Sequence, residues 1–418
     1  MKSAPLIAVI LLASCARVQA PEESALLRTV PSRAVAVMHF NRCERALEFL
    51  LDSTSVFRQL DYGRLGDAEM ILSYDYSAGL VPLLSVDAGR ANADTSSAVR
   101  KILQQAETLK LNALYTGDLL PKRAAVLLSP SVAAIDEALG HIESGASVLD
   151  APDFVDASSL ADGSGGSIIL KNESAGRWMP VKMLKGQVDR REMVKFVNGA
   201  AQWTVLSFKE LSSEGISVGA FTGGKRKYLA ELFSHLPAGE SKLVSALPDT
   251  AHFVVDLPLK DWKQYQEAWK ECLDARAELS KYNGRLAGLK KRFGKSPDAW
   301  LTELSPRELA LVRWESHELL LLRSARKSKR AFGENPCPGF IPALFGEIFR
   351  VADDSCVSSW DGWTLFGSAE DIEAWGNIVR TGALKGLPKN AKFYIRNDAV
   401  CLTADGKNIL MDVNRIGI

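Results

Sequence analysis

Apolar and alternating runs separated by helical patterns recur along this chain twice, in one order. From Val30 it reads VPSRAVAVMHFN, and from Leu247, 217 positions later, LPDTAHFVVDLP. Each sets an apolar residue and a proline before small and β-branched residues, the pattern of a strand. Helical periodicity follows in both, as RALEFLLDSTSVFRQL and as DWKQYQEAWKECLDARAELSKYNGRLAGLKKRF. Next come two strand–turn–strand signals, AEMILSYDYSAGLVPLLSV from Ala68 and ELALVRWESHELLLLRS from Glu308. Their tips, Tyr76–Gly79 and Glu315–His317, are polar or flexible, as a reversal requires. SSAVRKILQQAETL and GFIPALFGEIFRVA then predict a helix in each half. Finally RAAVLLSPSVAAIDEALGHI from Arg123 answers DGWTLFGSAEDIEAWGNI from Asp361, now about 237 apart. Both read as a strand entering a helix, with Ser131 and Ser368 placed to cap it. Glu370 and Asp371 suit the first turn, where the helix dipole favours acids.

One longer helix at 261–293 accounts for the growing displacement. Between the halves the first copy carries an extra section. DGSGGS at 162–167 is a turn, followed by strand-like SIILKN, helical DRREMVKFVNGA, and the strands QWTVLSFKEL and GISVGAFTG. Near the end KFYIRN matches SIILKN, with no further equivalent expected. The pattern predicts an α+β fold of two related domains from an internal duplication, each a mainly antiparallel sheet packed with helices. The boundary falls near 240, in HLPAGESKL, giving a first repeat over 30–240 and a second over 241–418 with the long helical insertion.

The N-terminus carries a different pattern. After Lys2, the thirteen residues from Ala4 to Ala16 are uncharged. A bilayer span needs about 20 apolar residues, whereas the core of a secretory signal needs about 7–15. Leu12-Ala13-Ser14-Cys15 resembles the lipobox of bacterial lipoproteins. That resemblance implies cleavage before Cys15, a diacylglycerol thioether on its sulfur and acylation, commonly by palmitate, of its new amino group. Residues 1–14 are then the signal peptide and 15–29 the lipidated cysteine and linker. The rival is ordinary cleavage after Val18-Gln19-Ala20, which would discard Cys15. Two or three acyl chains anchor firmly, since each buried methylene contributes about 0.8 kcal/mol. Ala16 in place of an acid implies, within the same resemblance, the outer membrane rather than the inner one, facing the periplasm.

Composition narrows the function classes. Apolar residues make up 47% and charged residues 24%, which is globular. A net charge of +1 provides no whole-molecule field for nucleic acid, and none is expected as a partner. Cys43, Cys272, Cys337, Cys356 and Cys401 would survive processing. Their odd number excludes a fully paired monomer; Cys337 with Cys356 is the best candidate pair, and buried thiols are the alternative. No CxxC occurs and the histidines are scattered, so neither a metal nor a cofactor is called for.

Together the lipobox, the Val30-Pro31 strand start and the GWTLFGSAEDIEAW unit resemble a group of bacterial envelope lipoproteins of the Bacteroidetes kind. Their duplicated α/β region has no assigned function, so the resemblance implies an envelope address and no catalytic residues.

Other motifs are weaker. Gly219 to Lys225 fits GxxxxGK, but Arg226 stands where a phosphate loop needs Ser or Thr. His317-Glu318 begins an HExxH whose second histidine is replaced by Leu321. Basic residues cluster at Lys290–Arg292 and at Arg323–Arg330, where they could meet phospholipid or lipopolysaccharide phosphates. Trp262, Tyr265 and Trp269 share one helix face, a packing surface or a docking face for an envelope protein. Trp360, Trp363 and Trp375 raise the same question. The sequence therefore predicts a non-enzymatic binding or assembly protein tethered to membrane lipid through Cys15. The alternatives are an extracytoplasmic hydrolase of envelope glycan or peptide, and a small-ligand binder with an interdomain cleft.

Overall fold

The computed structural model describes residues 24–75, 80–89, 93–120, 123–161, 165–178, 190–211, 216–325, 339–378, 380, 393–397, 400–404 and 409–413. The signal peptide and Cys15 lie outside them. In the first half, β1 (Ala36–Phe40) leads to α1 (Cys43–Leu50), β2 (Met70–Asp75) and β3 (Val81–Gly89). Then come α2 (Ala93–Thr108), β4 (Asn112–Tyr115), β5 (Ala124–Ser129), α3 (Val132–Ser144) and α4 (Pro152–Ser158). β6 (Gly166–Lys171), α5 (Ala175–Trp178), α6 (Arg190–Ala200), β7 (Trp203–Phe208) and β8 (Ile216–Phe221) complete it.

α7 (Leu229–His235) precedes β9 (Ala251–Pro258), α8 (Trp262–Ala275), α9 (Leu279–Phe293) and α10 (Pro297–Leu304). The hairpin β10 (Pro306–Trp314) and β11 (His317–Ser324) follows, then α11 (Phe340–Phe345). After it come β12 (Cys356–Trp360), β13 (Trp363–Gly367) and α12 (Ala369–Asn377). β14 (Phe393–Asn397), β15 (Val400–Ala404) and β16 (Ile409–Val413) end the described chain.

The fold is α+β and its sheets are antiparallel. Outward from the centre the first half runs β8-β7-β6-β1-β2-β3-β5-β4, and the second β16-β15-β14-β9-β10-β11-β13-β12. Raising each number in the first order by eight produces the second. The halves meet through pairing of β8 with β16, Val218 opposite Ile409 and Ser217 opposite Leu410. They therefore join strand to strand along a continuous sheet.

Helices cover both faces of each half. Phe40, Leu72, Leu84 and Val126 pack with Leu47 of α1 and Ile102 of α2, while Val37, Ile71 and Leu127 pack with α3 and α4 on the opposite face. In the second half Val255, Leu309 and Leu322 face Tyr265, Leu301 and Phe340, while Val254, Val312 and Leu321 face Trp375 of α12. Burial on both faces explains why AAVLLS and the leucines of HELLLLRS show no alternation: each residue meets a core whichever way it points.

Several expectations change. The helical pattern at 261–293 is two helices, α8 and α9, parted near Ala277, whose φ of 58° is left-handed. The edge strands β4 and β12 were not legible, since NALY and CVSSW are short and only half-buried. The second half does not stop at the counterpart of SIILKN, because β15 and β16 hold the places of β7 and β8. What has no counterpart there is the pair α5 and α6 between β6 and β7. Leu232 and Phe233 of α7, ahead of position 240, sit in the second half's core.

Candidate functional site

Matched polar clusters mark the entry to each half. Residues 24–31 read SALLRTVP and residues 241–248 read SKLVSALP, again 217 apart. Each strap begins at a serine, makes a short 3-10 turn (Ala25–Thr29 and Leu243–Ser245), and runs through a proline toward the central strand of its half. Leu26 and Leu243 are fully buried beneath them. Because Phe40 pairs with Met70 and Leu257 with Leu309, His39 corresponds to Asp256 and Glu69 to Glu308. Pairing of Met70 with Val86 and Leu309 with Leu322 likewise matches Asp87 with Arg323.

In the second half this cluster is sealed. Asp256 and Glu308 are both 0% exposed. Glu308 accepts hydrogen bonds from the Lys242 amide (2.9 and 3.0 Å to its two oxygens), the Leu243 amide (2.9 Å), Ser241 Oγ (3.1 Å) and Arg323 Nε (2.8 Å). Arg323 also donates to the Glu240 carbonyl at 3.0 Å. Ser241 Oγ also lies within hydrogen-bond reach of Asp256 Oδ2 at 2.7 Å, its one proton serving one carboxyl at a time, while Asp256 Oδ1 has no partner among the described residues. Burial first, and then the charge of Glu308, push the Asp256 carboxyl well above the usual range, favouring its neutral form. A saturated anion beside a neutral acid is a fastener. Both carboxyls are buried, so neither is placed at a surface where it could trade protons with a substrate.

The first-half cluster is more open. His39 Nε2 lies 2.7 Å from Glu69 Oε1, and Arg123 Nη1 reaches Glu69 Oε2 (3.1 Å) and Asp87 Oδ2 (2.8 Å). The His39 and Arg123 side chains are 31% and 48% exposed. Burial raises the Glu69 pKa, but hydrogen bonds from His39 and Ser24 and the charges of His39 and Arg123 outweigh it, holding the carboxyl below its ordinary value. Beside this strap a hollow is lined by Pro31, Ser73, Asp75, Val81, Leu83 and Glu137, and Arg33 already joins Asp75 (2.8 Å) to Glu137 (2.6 Å).

The aromatic face of α8 turns into the core. Tyr265 is 3% exposed, stacks on Phe345 at 5.5 Å and Trp269 at 6.4 Å, and donates its hydroxyl to the Phe345 carbonyl. Trp262 and Trp269 are half-buried against the same cluster, so the three rings form no exposed patch. The other tryptophans also pack. Trp375 is fully buried between Trp314 (5.2 Å) and Trp360 (5.7 Å). Arg380 lies over Trp360 and Trp375 and donates to the carbonyls of Ala246, Trp375 and Ile378, pinning the second strap to the end of α12.

His317, Asp371 and Ser368 meet without the order a nucleophile needs. His317 Nδ1 and Ser368 Oγ both bond Asp371, at 2.9 and 2.6 Å, so the imidazole does not reach the serine. Ser368 caps α12 by accepting from the Asp371 amide at 3.0 Å, whereas Ser131 makes no side-chain cap on α3. The GxxxxGK stretch is the end of β8 followed by a tight turn with Gly223 and Gly224 at positive φ, and Lys225 Nζ is engaged by Gln202 Oε1 at 2.9 Å. Cys43 and Cys272 are buried thiols and Cys356 sits half-buried on β12, while Cys337 lies outside the described residues. Among the described residues no group of three or more His, Cys, Asp or Glu could hold a metal, and no helix is long and apolar enough to cross a membrane.

No known family matches the chain, and neither does any curated protein or solved structure. The clusters are not legible in the sequence because hydrogen-bonded partners within them lie up to 83 residues apart. The repeated SxLxxxxP, with Leu26 and Leu243 at the same step, is the signal that points to them.

Proposed function

We propose that this is a lipid-anchored cell-envelope protein that binds or assembles at the membrane surface and is built from two copies of one eight-stranded unit. Leu12-Ala13-Ser14-Cys15 after a short uncharged run carries the reading, as it does the resemblance to envelope lipoproteins of the Bacteroidetes kind. Cys15 stands nine residues before Ser24, where the first strap begins. That span is at most about 30 Å when extended, so an acylated Cys15 would keep the first half close to the lipid surface. Ala16 supports the outer membrane, periplasmic side. A binding role is supported by chemistry that is spent internally: the sealed Asp256–Glu308 pair and the His317–Asp371–Ser368 trio hold elements in place.

Mass spectrometry of the N-terminal peptide from native membranes tests the anchor. The expected species begins at Cys15 and carries a diacylglycerol thioether; a bare chain beginning at Pro21 would end the proposal. Pull-down of the anchored protein then seeks its partner. Matching strand order, matching register and the paired straps support duplication. Related chains with a single eight-stranded unit are its expected remnant.

A further inference from the structure

We propose that α9 is a second membrane contact, an electrostatic one, made to anionic lipid headgroups. The helix Leu279–Phe293 carries Lys281, Arg285, Lys290, Lys291 and Arg292 and no acid, in a chain that as a whole balances 51 basic against 50 acidic residues. All five cations are exposed. Arg285 is matched by Glu347 at 2.8 Å, but Lys281, Lys290 and Lys291 make no ion pair among the described residues. The helix dipole accounts for Lys290–Arg292, which stand in the last turn. It opposes Lys281 in the first.

The contact is to headgroups and not to acyl chains, because the apolar face is occupied. Tyr282 is buried, and Leu286, Leu289 and Phe293 pack on the second core. Comparison of the halves isolates the feature. The equivalent stretch of the first half holds α1, whose Glu44, Arg45 and Glu48 are mixed in sign, and two 3-10 turns. α9 is thus an addition to one copy, with charge of one sign along about 22 Å of helix. Each cation near an anionic bilayer contributes about 1 kcal/mol, and a polybasic surface is a recognised second signal beside an acyl anchor. With a tether on the first half and α9 on the second, two separated contacts would hold the long sheet alongside the membrane.

The lipid partner rests on the envelope reading, yet it is tested without the anchor. The chain from Ala16 onward, which keeps every described residue, is sedimented with vesicles of phosphatidylcholine alone or mixed with phosphatidylglycerol. Binding is expected only to the mixed vesicles, and it should vanish at high salt. Lys290→Gln/Lys291→Gln/Arg292→Gln should weaken it at least about tenfold, while Arg28→Gln/Arg42→Gln/Arg45→Gln, also exposed, leaves it intact. Absence of binding to mixed vesicles, equal binding to both lipids, or an unaffected α9 variant would overturn the proposal. Retention on polyglutamate without vesicle binding would replace the membrane with an acidic protein partner. A missing thioether on Cys15 removes the anchor alone, so the two failures are told apart.

Discussion

The two strap clusters occupy equivalent places in equivalent strands and are built from different chemistry. Ser241, Asp256, Glu308 and Arg323 form a closed network in which one carboxylate is saturated and the other is favoured neutral. Ser24, His39, Glu69, Asp87 and Arg123 form an ionic network partly open to water. One architectural need, fixing the chain where it enters a half, is thus met in two dielectrics. Buried pairs are expensive to break and surface pairs are not.

Substitution at the matched glutamates should separate them most. Glu308→Ala strands Arg323 and three strap donors and is expected to cost about 3–5 kcal/mol, whereas Glu69→Ala, screened by water, should cost about 1 kcal/mol. Chemical denaturation of the two variants measures both, and equal losses would break the distinction. Gly239 comes next: a Cβ there would lie 2.5 Å from the carbonyl carbon and oxygen of Pro258, backbone that cannot swing aside. Gly239→Ala should therefore cost about 1–3 kcal/mol through strain.

Acidity should act on the halves in opposite directions. The Asp256 pKa is raised on folding, so its contribution is complete below the unfolded aspartate value and is lost as pH rises through the folded one. The Glu69 pKa is lowered, so its contribution is complete above the unfolded glutamate value and is lost as pH falls through the folded one. Hydrogen exchange should show the first strap loosening in acid and the second in alkali. Asp256→Asn should be more stable than wild type at high pH and converge with it at low pH; parallel stability curves would contradict the raised pKa.

The smallest contrast concerns the caps. Ser368→Ala should cost about 1 kcal/mol, while Ser131→Ala, which removes no cap on α3, should stay within about 0.5 kcal/mol. Thermal unfolding resolves that difference.

Local pattern reached the central elements because their signals are strong and near in sequence. β1 and β9 follow their prolines, and the hairpins β2–β3 and β10–β11 form where apolar runs flank polar tips. Edge strands carry a weaker signal, since β4 and β12 are held by one neighbour and bury little. The break at Ala277 carries no local signal: nothing in LDARAELS marks a left-handed turn, and it is the packing of α8 and α9 onto one core that requires it. Trp262, Tyr265 and Trp269 share one helix face by their spacing, but whether that face meets solvent or core depends on α11, whose Phe345 lies 80 residues from Tyr265.

By itself the sequence determined the apolar periodicities and the order of the central strands and helices, because each depends on residues within a turn or two of one another. Only the tertiary structure decided the shared strand order of the halves, their junction through β8 and β16, and the meeting of Ser241 with Asp256 and Glu308. Those depend on which distant strands lie side by side. Burial, which turns a carboxylate from a surface charge into a fastener, exists only once the chain has closed around it.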